Sequence, residues 1–346
     1  MPESRGPGTP HIAYRTIVTL AALAVVVWGL KAGGTLLLPC LVSVFLAIVA
    51  APPVLWLERK RVPVGVAVMI VMIGVLGATA GFGFLVALSV RDFSQAIERY
   101  RVRLQELLDP ILDLLADYDI QITTKDLYAQ IEPAAVMDWA GSTVGVVLSA
   151  VSAITVVVLT VLFILLEAAG FPRKLRAATS DPVAAMGNGA KIMLEIQRYL
   201  TLKTLLSLAT GFLIWLWALV LGVDFPLLWG LLAFVLNYIP NVGSVIAAIP
   251  ALLVAFVQLG PGTTGLLGLG YVVVNTVIGN VVEPQLMGNK LGLSPLVVFL
   301  SLLFWGWVWG PIGMLLSVPL TMVLKILLEQ SEESSWLATL LGPTPR

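Results

Sequence analysis

Thr276 and Asn280, in the otherwise apolar run Thr263–Val282, and Glu283 just after it fall at i, i+4 and i+7, and so form one polar stripe along a helix. Pro284 follows, then Gln285 and Asn289. An ionisable carboxyl within a membrane-spanning run costs about 2.5–3.5 kcal/mol, so such a group usually faces a pathway or a partner charge. Its chemistry would be reversible binding of a proton, a monovalent cation or a hydrogen-bonding solute. The other reading of Glu283 is an ordinary helix-end charge at headgroup level.

A second stripe matches the first: Tyr199, Lys203, Ser207 and Thr210 with Gly211. Lys203 lies about one turn inside its apolar run, where its long stem can carry the ammonium to water. Pairing with Glu283 is the alternative, and the sequence alone does not bring the two together. Further polar material comes from two apolar stretches that are interrupted. Phe225–Val257 is broken at Asn237, Pro240, Asn241 and Gly243 and again at Pro250, and Ser294–Leu328 is broken at Gly306, Gly310, Pro311, Gly313 and Pro319. Irregular backbone cannot face lipid, because unpaired N–H and C=O groups cost several kcal/mol each; it belongs in protein or beside a watery cavity. Each stretch is longer than one crossing and shorter than two, so a kinked helix and a re-entrant hairpin both fit. Pro240, Gly243 and Pro250 resemble Pro311, Gly313 and Pro319 as two versions of one pattern, a Pro-Gly break followed by a second proline.

The elements that must position these groups follow from composition. The chain has 346 residues, 59% hydrophobic and 12% charged, against about 25% charged in a soluble domain. It lacks the polar material to cover a soluble surface, so lipid is its solvent. Net charge is zero, which gives no footprint for nucleic acid. One cysteine, Cys40, excludes an intrachain disulfide, and with His11 the single histidine a His/Cys metal site is excluded too. No G-x-x-x-x-G-K-[ST] occurs, so uphill transport would need an ion gradient or a partner. No nucleophile elbow, histidine base or pair of acids flanking a cleft appears, so the chain is not expected to be an enzyme or to carry a cofactor.

Along the chain, residues 1–15 form a polar tail and 16–90 hold three spans, Thr16–Leu30, Thr35–Leu57 and Val64–Val90. The first is retained rather than cleaved, since no A-x-A site follows it. Glu58, Arg59, Lys60 and Arg61 make a short basic loop that marks the cytoplasmic side. Residues 91–139 are acidic, and Leu104, Leu107, Leu108, Ile111, Leu112 and Leu115 recur at helical spacing, as in an extramembrane amphipathic insert. Residues 140–328 hold five further segments: Val144–Leu166, Tyr199–Leu221, the two broken stretches, and Thr263–Val282 between them. A basic linker, 167–198, is cytoplasmic by the same rule, and 329–346 is a cytoplasmic tail. The Gly77/Gly81, Gly141/Gly145 and Gly306/Gly310 pairs allow close helix approach, and Trp305, Trp307 and Trp309 read as an interfacial belt.

Four segments together resemble one family. They are Gln197–Lys203, Leu236–Pro250, Asn280–Gly288 and Leu291-Gly-Leu-Ser-Pro-Leu-Val-Val, with Phe304-Trp-Gly-Trp and Gly313–Leu320 after them. These are similar to the autoinducer-2 exporter (AI-2E) family of bacterial permeases, and the order of segments extends the resemblance over about residues 15–330. The resemblance implies eight hydrophobic segments, a helical insert after the third, location in the bacterial inner membrane and a role in transport. It associates one branch with export of autoinducer-2 and another with sodium or lithium/proton antiport. It also implies a homo-oligomeric ring, a pentamer.

The expectation is therefore an all-α polytopic membrane protein with both termini cytoplasmic. Its solute path uses Lys203, Asn237, Pro240, Asn241, Asn280, Glu283 and Pro311. Glu283 is the proton- or sodium-sensitive member and Lys203 its gate or counter-charge, serving a small polar solute or a monovalent cation. A non-transporting scaffold, binding a partner through residues 91–139, is the alternative from another class.

Overall fold

The computed structural model describes residues 9–117, 154–168, 182–240, 242–287, 292–329 and 335–342. Among the described residues every regular element is a helix. Six helices are long and apolar enough to cross a membrane, and three shorter ones, Ile17–Ala32, Val156–Glu167 and Pro226–Leu236, are apolar as well. The chain is a polytopic all-α membrane protein. Large apolar side chains stand on its exterior: Phe84, Phe163, Phe212 and Leu269 are each more than half exposed, which suits contact with lipid.

Gly33 alone separates α1 (Thr9–Ala32) from α2 (Gly34–Arg59). The third span and the start of the acidic insert form one helix, α3 (Val64–Asp117), of 54 residues, so no break falls at residue 91. At 1.5 Å per residue α3 is about 81 Å long, far beyond a hydrocarbon core of about 30 Å. Polarity changes at Arg91 but helix propensity does not, since neither Gly nor Pro occurs from Phe84 to Asp109. The rest of the insert, the start of the fourth span and part of the basic linker lie outside the described residues. The fourth span is described as α4 (Ile154–Ala168) and the fifth as α5 (Pro182–Val220).

After α5 both broken stretches are helical hairpins. In the first, α6 (Pro226–Leu236) runs back along α5 and α7 (Val242–Leu259) returns. Its tip is tied to mid-α5, where Asn237 Nδ2 donates to Ser207 Oγ at 3.0 Å and Tyr238 Oη to Thr204 Oγ1 at 2.7 Å. Its base closes beside the C-terminal end of α5: the Asp224 N–H donates to Gln258 Oε1 at 2.8 Å, and Gln258 Nε2 to Asp224 Oδ1 at 3.0 Å. Tyr100 of α3 donates its hydroxyl to the other Asp224 oxygen. With 11 residues, α6 is about 16 Å long and too short to cross.

After the crossing helix α8 (Pro261–Asn275), a π-helical turn (Thr276–Val282) and α9 (Glu283–Met287), the chain enters α10 (Pro295–Glu329). Gly310 (φ 65°, ψ −148°) interrupts it. Its two arms are antiparallel, because Trp305 Nε1 donates to Thr321 Oγ1, sixteen residues on, at 3.1 Å. At its base the Ser294 N–H donates to the Leu341 carbonyl of α11 (Ser335–Leu341) at 3.0 Å. Leu293 at that base joins one buried cluster with Ile196, Tyr199 and Leu200 of the N-terminal half of α5. The hairpins thus enter from opposite ends of the bundle. Their reversals share one device: a Cβ at Gly243 would lie 1.8 Å from the Leu236 carbonyl oxygen, and one at Gly313 2.0 Å from that of Trp305. Only glycine fits where the returning arm crosses the backbone so closely.

Candidate functional site

The tip of the first hairpin, the middle of α5 and the end of α8 enclose a cavity of about 740 Å³. Lys203 comes from α5 and Glu283 from the residue after the π turn, eighty positions later. The Lys203 Nζ donates to both Glu283 carboxylate oxygens, at 2.9 and 3.0 Å. The side chains are 4% and 21% exposed, so the ammonium is buried and the carboxylate looks into the cavity. Removing two charges from water is expensive, and close bidentate geometry is what offsets it. The pair gives the wall a dipole with no net charge.

Local sequence explains why these residues arrive here. On α5 Lys203 and Ser207 are one turn apart and both buried, and Ser207 holds the Asn237 amide. Close packing of α5 on α6 needs Gly211 and Gly230: a Cβ on Gly211 would stand 2.7 Å from the Gly230 carbonyl oxygen. On α8 the Asn275 amide donates to the Tyr271 carbonyl at 2.8 Å, which turns that side chain along its own helix.

Of the residues singled out from sequence, Lys203, Asn237, Pro240, Asn280 and Glu283 all line this one cavity. Asn241 lies outside the described residues. Pro311 does not line it. The second hairpin carries Pro311 to its tip, beside the junction of α1 and α2, where the Trp309 indole donates to the Leu30 carbonyl at 2.8 Å. Among the described residues, the first broken stretch lines this cavity and the second does not. The reason is their opposite entry: one tip meets mid-α5, the other the start of α2.

Tyr271, Asn275 and Ser244 also line the cavity and were not anticipated. Asn275 had a signal, one residue ahead of the Thr276 stripe; Tyr271 and Ser244 read as ordinary members of apolar helices. The Tyr100–Asp224–Gln258 clasp joins residues more than a hundred positions apart, and no local pattern announces it. Among the described residues no group of three or more His, Cys, Asp or Glu side chains is placed to hold a metal ion.

A family profile described as AI-2E family transporter matches residues 17–333. The putative transport protein YhhT of Escherichia coli (strain K12) is 37% identical over 337 residues, 97% of either chain. The AI-2 transport protein TqsA of the same strain is 37% identical over 328 residues, 95% of either chain. A putative transport protein of Haemophilus influenzae is 36% identical over 340 residues, 95% of this chain and 96% of the relative.

Proposed function

The chain belongs to the AI-2E transporter family, and from that premise we propose that it is a secondary transporter carrying a small, neutral, hydroxyl-rich solute of the autoinducer-2 kind. The proposed route crosses the bacterial inner membrane through the Lys203–Glu283 cavity, with both termini cytoplasmic. One observation carries the reading: a buried, self-neutralised ion pair on the wall of a cavity with amide and hydroxyl neighbours.

A neutral wall of this kind suits a neutral solute. Asn237, Asn275 and Asn280 offer amide donors and acceptors, and Ser244 and Thr276 offer hydroxyls, while Leu252, Val245 and Val272 cover the carbon face. TqsA, named for AI-2 transport, is as similar to this chain as YhhT, which has no named solute. Sodium or lithium/proton antiport is the second reading, favoured by the exposed edge of Glu283: a cation or proton there would displace the Lys203 ammonium.

Purified protein in proteoliposomes discriminates them. Autoinducer-2 accumulation or release without response to added sodium or lithium supports the solute reading. A sodium- or lithium-triggered proton flux without movement of autoinducer-2 replaces it with antiport.

A further inference from the structure

The seven residues Thr276–Val282 are π-helical, and the sequence supplies a reason. Pro284 has no N–H, and in an α register its ring would press on the carbonyl of residue 280. Widening the preceding turns to the i→i+5 pattern moves that carbonyl aside. Accordingly the Glu283 N–H donates to the Ile278 carbonyl, five residues back. The next donor in such a ladder would be residue 284, so proline takes the helical partner from the Gly279 carbonyl. Gly279, Asn280, Glu283 and Pro284 all stand on the cavity wall.

A π turn holds one residue more than the α turns it replaces. Relaxing it to the α register turns everything beyond it by about 100° and shifts it by about 1.5 Å along the axis. Glu283 is the first residue beyond the turn. A rotation of that size carries its carboxylate away from Lys203.

We infer that the π turn Thr276–Val282 is the hinge of the site, and that Pro284 is the positioning residue that holds it. In the wide register the carboxylate sits on Lys203; in the α register it is withdrawn, and a full transport cycle passes through both. Gly279, in the middle of the turn, keeps the exchange easy because glycine favours the α form least among the non-proline residues. This inference rests on the transport reading above and gives that cavity its moving part.

Hydrogen–deuterium exchange and flux, measured on the same full-length protein, test it. Pro284→Ala restores the missing donor and removes the ring. Gly279→Ala favours the α register without touching a neighbour, since an added Cβ there meets no atom within 4 Å. In the unsubstituted chain a peptide covering 276–287 should exchange faster than its neighbour covering 261–275. In either variant that exchange should slow by about ten-fold while the flanking helices stay unchanged, and solute flux should fall by roughly ten-fold. Slower exchange with undiminished flux overturns the hinge and leaves the transport reading standing. Unchanged exchange in both variants overturns the role given to Pro284. A chain whose exchange responds as expected but which, even unsubstituted, moves neither autoinducer-2 nor protons on addition of sodium or lithium sinks the transport reading, and that outcome is separate from the other two.

Discussion

The Lys203 ammonium lies 2.9 and 3.0 Å from the two carboxylate oxygens of Glu283, joining α5 to the first residue of α9 beside the tip of the first hairpin. Removing one partner of a buried pair leaves the other uncompensated, at a cost of about 3–5 kcal/mol. Lys203→Glu or Glu283→Lys alone is therefore expected to lower thermal stability in detergent and to stop flux. The double reversal should recover most of the stability and part of the flux. A double variant no more stable than the worse single one would show that the pair is not a unit.

Gly243 and Gly313 make one prediction between them. Alanine at either position places a methyl about 2 Å from a backbone carbonyl oxygen, so the arms must separate. Each substitution should destabilise by roughly 1–3 kcal/mol, the range for overpacking. Gly77→Ala, inside α3 where an added Cβ meets nothing within 4 Å, should cost nothing and raise stability by up to about 1 kcal/mol. Thermal unfolding of the three variants side by side checks this.

The hairpin base gives another. Asp224 receives the Tyr100 hydroxyl and the Gln258 amide, and its backbone carbonyl accepts the Trp229 indole N–H at 2.7 Å. Tyr100→Phe removes one hydrogen bond, worth about 1 kcal/mol. Gln258→Ala removes three, including its bond to the Gly222 carbonyl at 3.1 Å. Hydrogen exchange over residues 221–226 should therefore rise more in Gln258→Ala than in Tyr100→Phe. Equal exchange in both would show that the base is held by packing, not by the clasp.

What was legible in the sequence was whatever periodicity encodes. The polar stripes at Lys203 and Glu283 read directly, because i, i+4 and i+7 spacing fixes a helix face without tertiary knowledge. The Pro/Gly breaks also read directly, yet a break in hydropathy looks the same for a kink and a hairpin. The deciding contacts, Asn237 to Ser207 and Trp305 to Thr321, are thirty and sixteen residues apart. Pro311 looked equivalent to Pro240 in pattern, and its tip lands beside Leu30 because the second hairpin enters from the other end. The boundary at residue 91 was drawn from polarity, while helix continuity follows propensity, and α3 runs straight through it.

Tyr238 supplies a prediction for the tip itself. Its hydroxyl donates to Thr204 Oγ1, which in turn donates to the Leu200 carbonyl at 2.7 Å. Tyr238→Phe should weaken the tip by about 1 kcal/mol and change flux while leaving membrane insertion intact. Flux identical to that of the unsubstituted chain would show that the tip contact does not bear on transport.

The central claim is that solute passes by Glu283. The measurement that meets it most directly is flux of autoinducer-2 in proteoliposomes containing equal amounts of the unsubstituted chain and of Glu283→Gln, with correct insertion verified for both. Glutamine keeps the shape and removes the charge that holds Lys203. The account predicts movement of the solute by the first and none by the second. Near-normal flux through Glu283→Gln would contradict it and move the path elsewhere in the bundle.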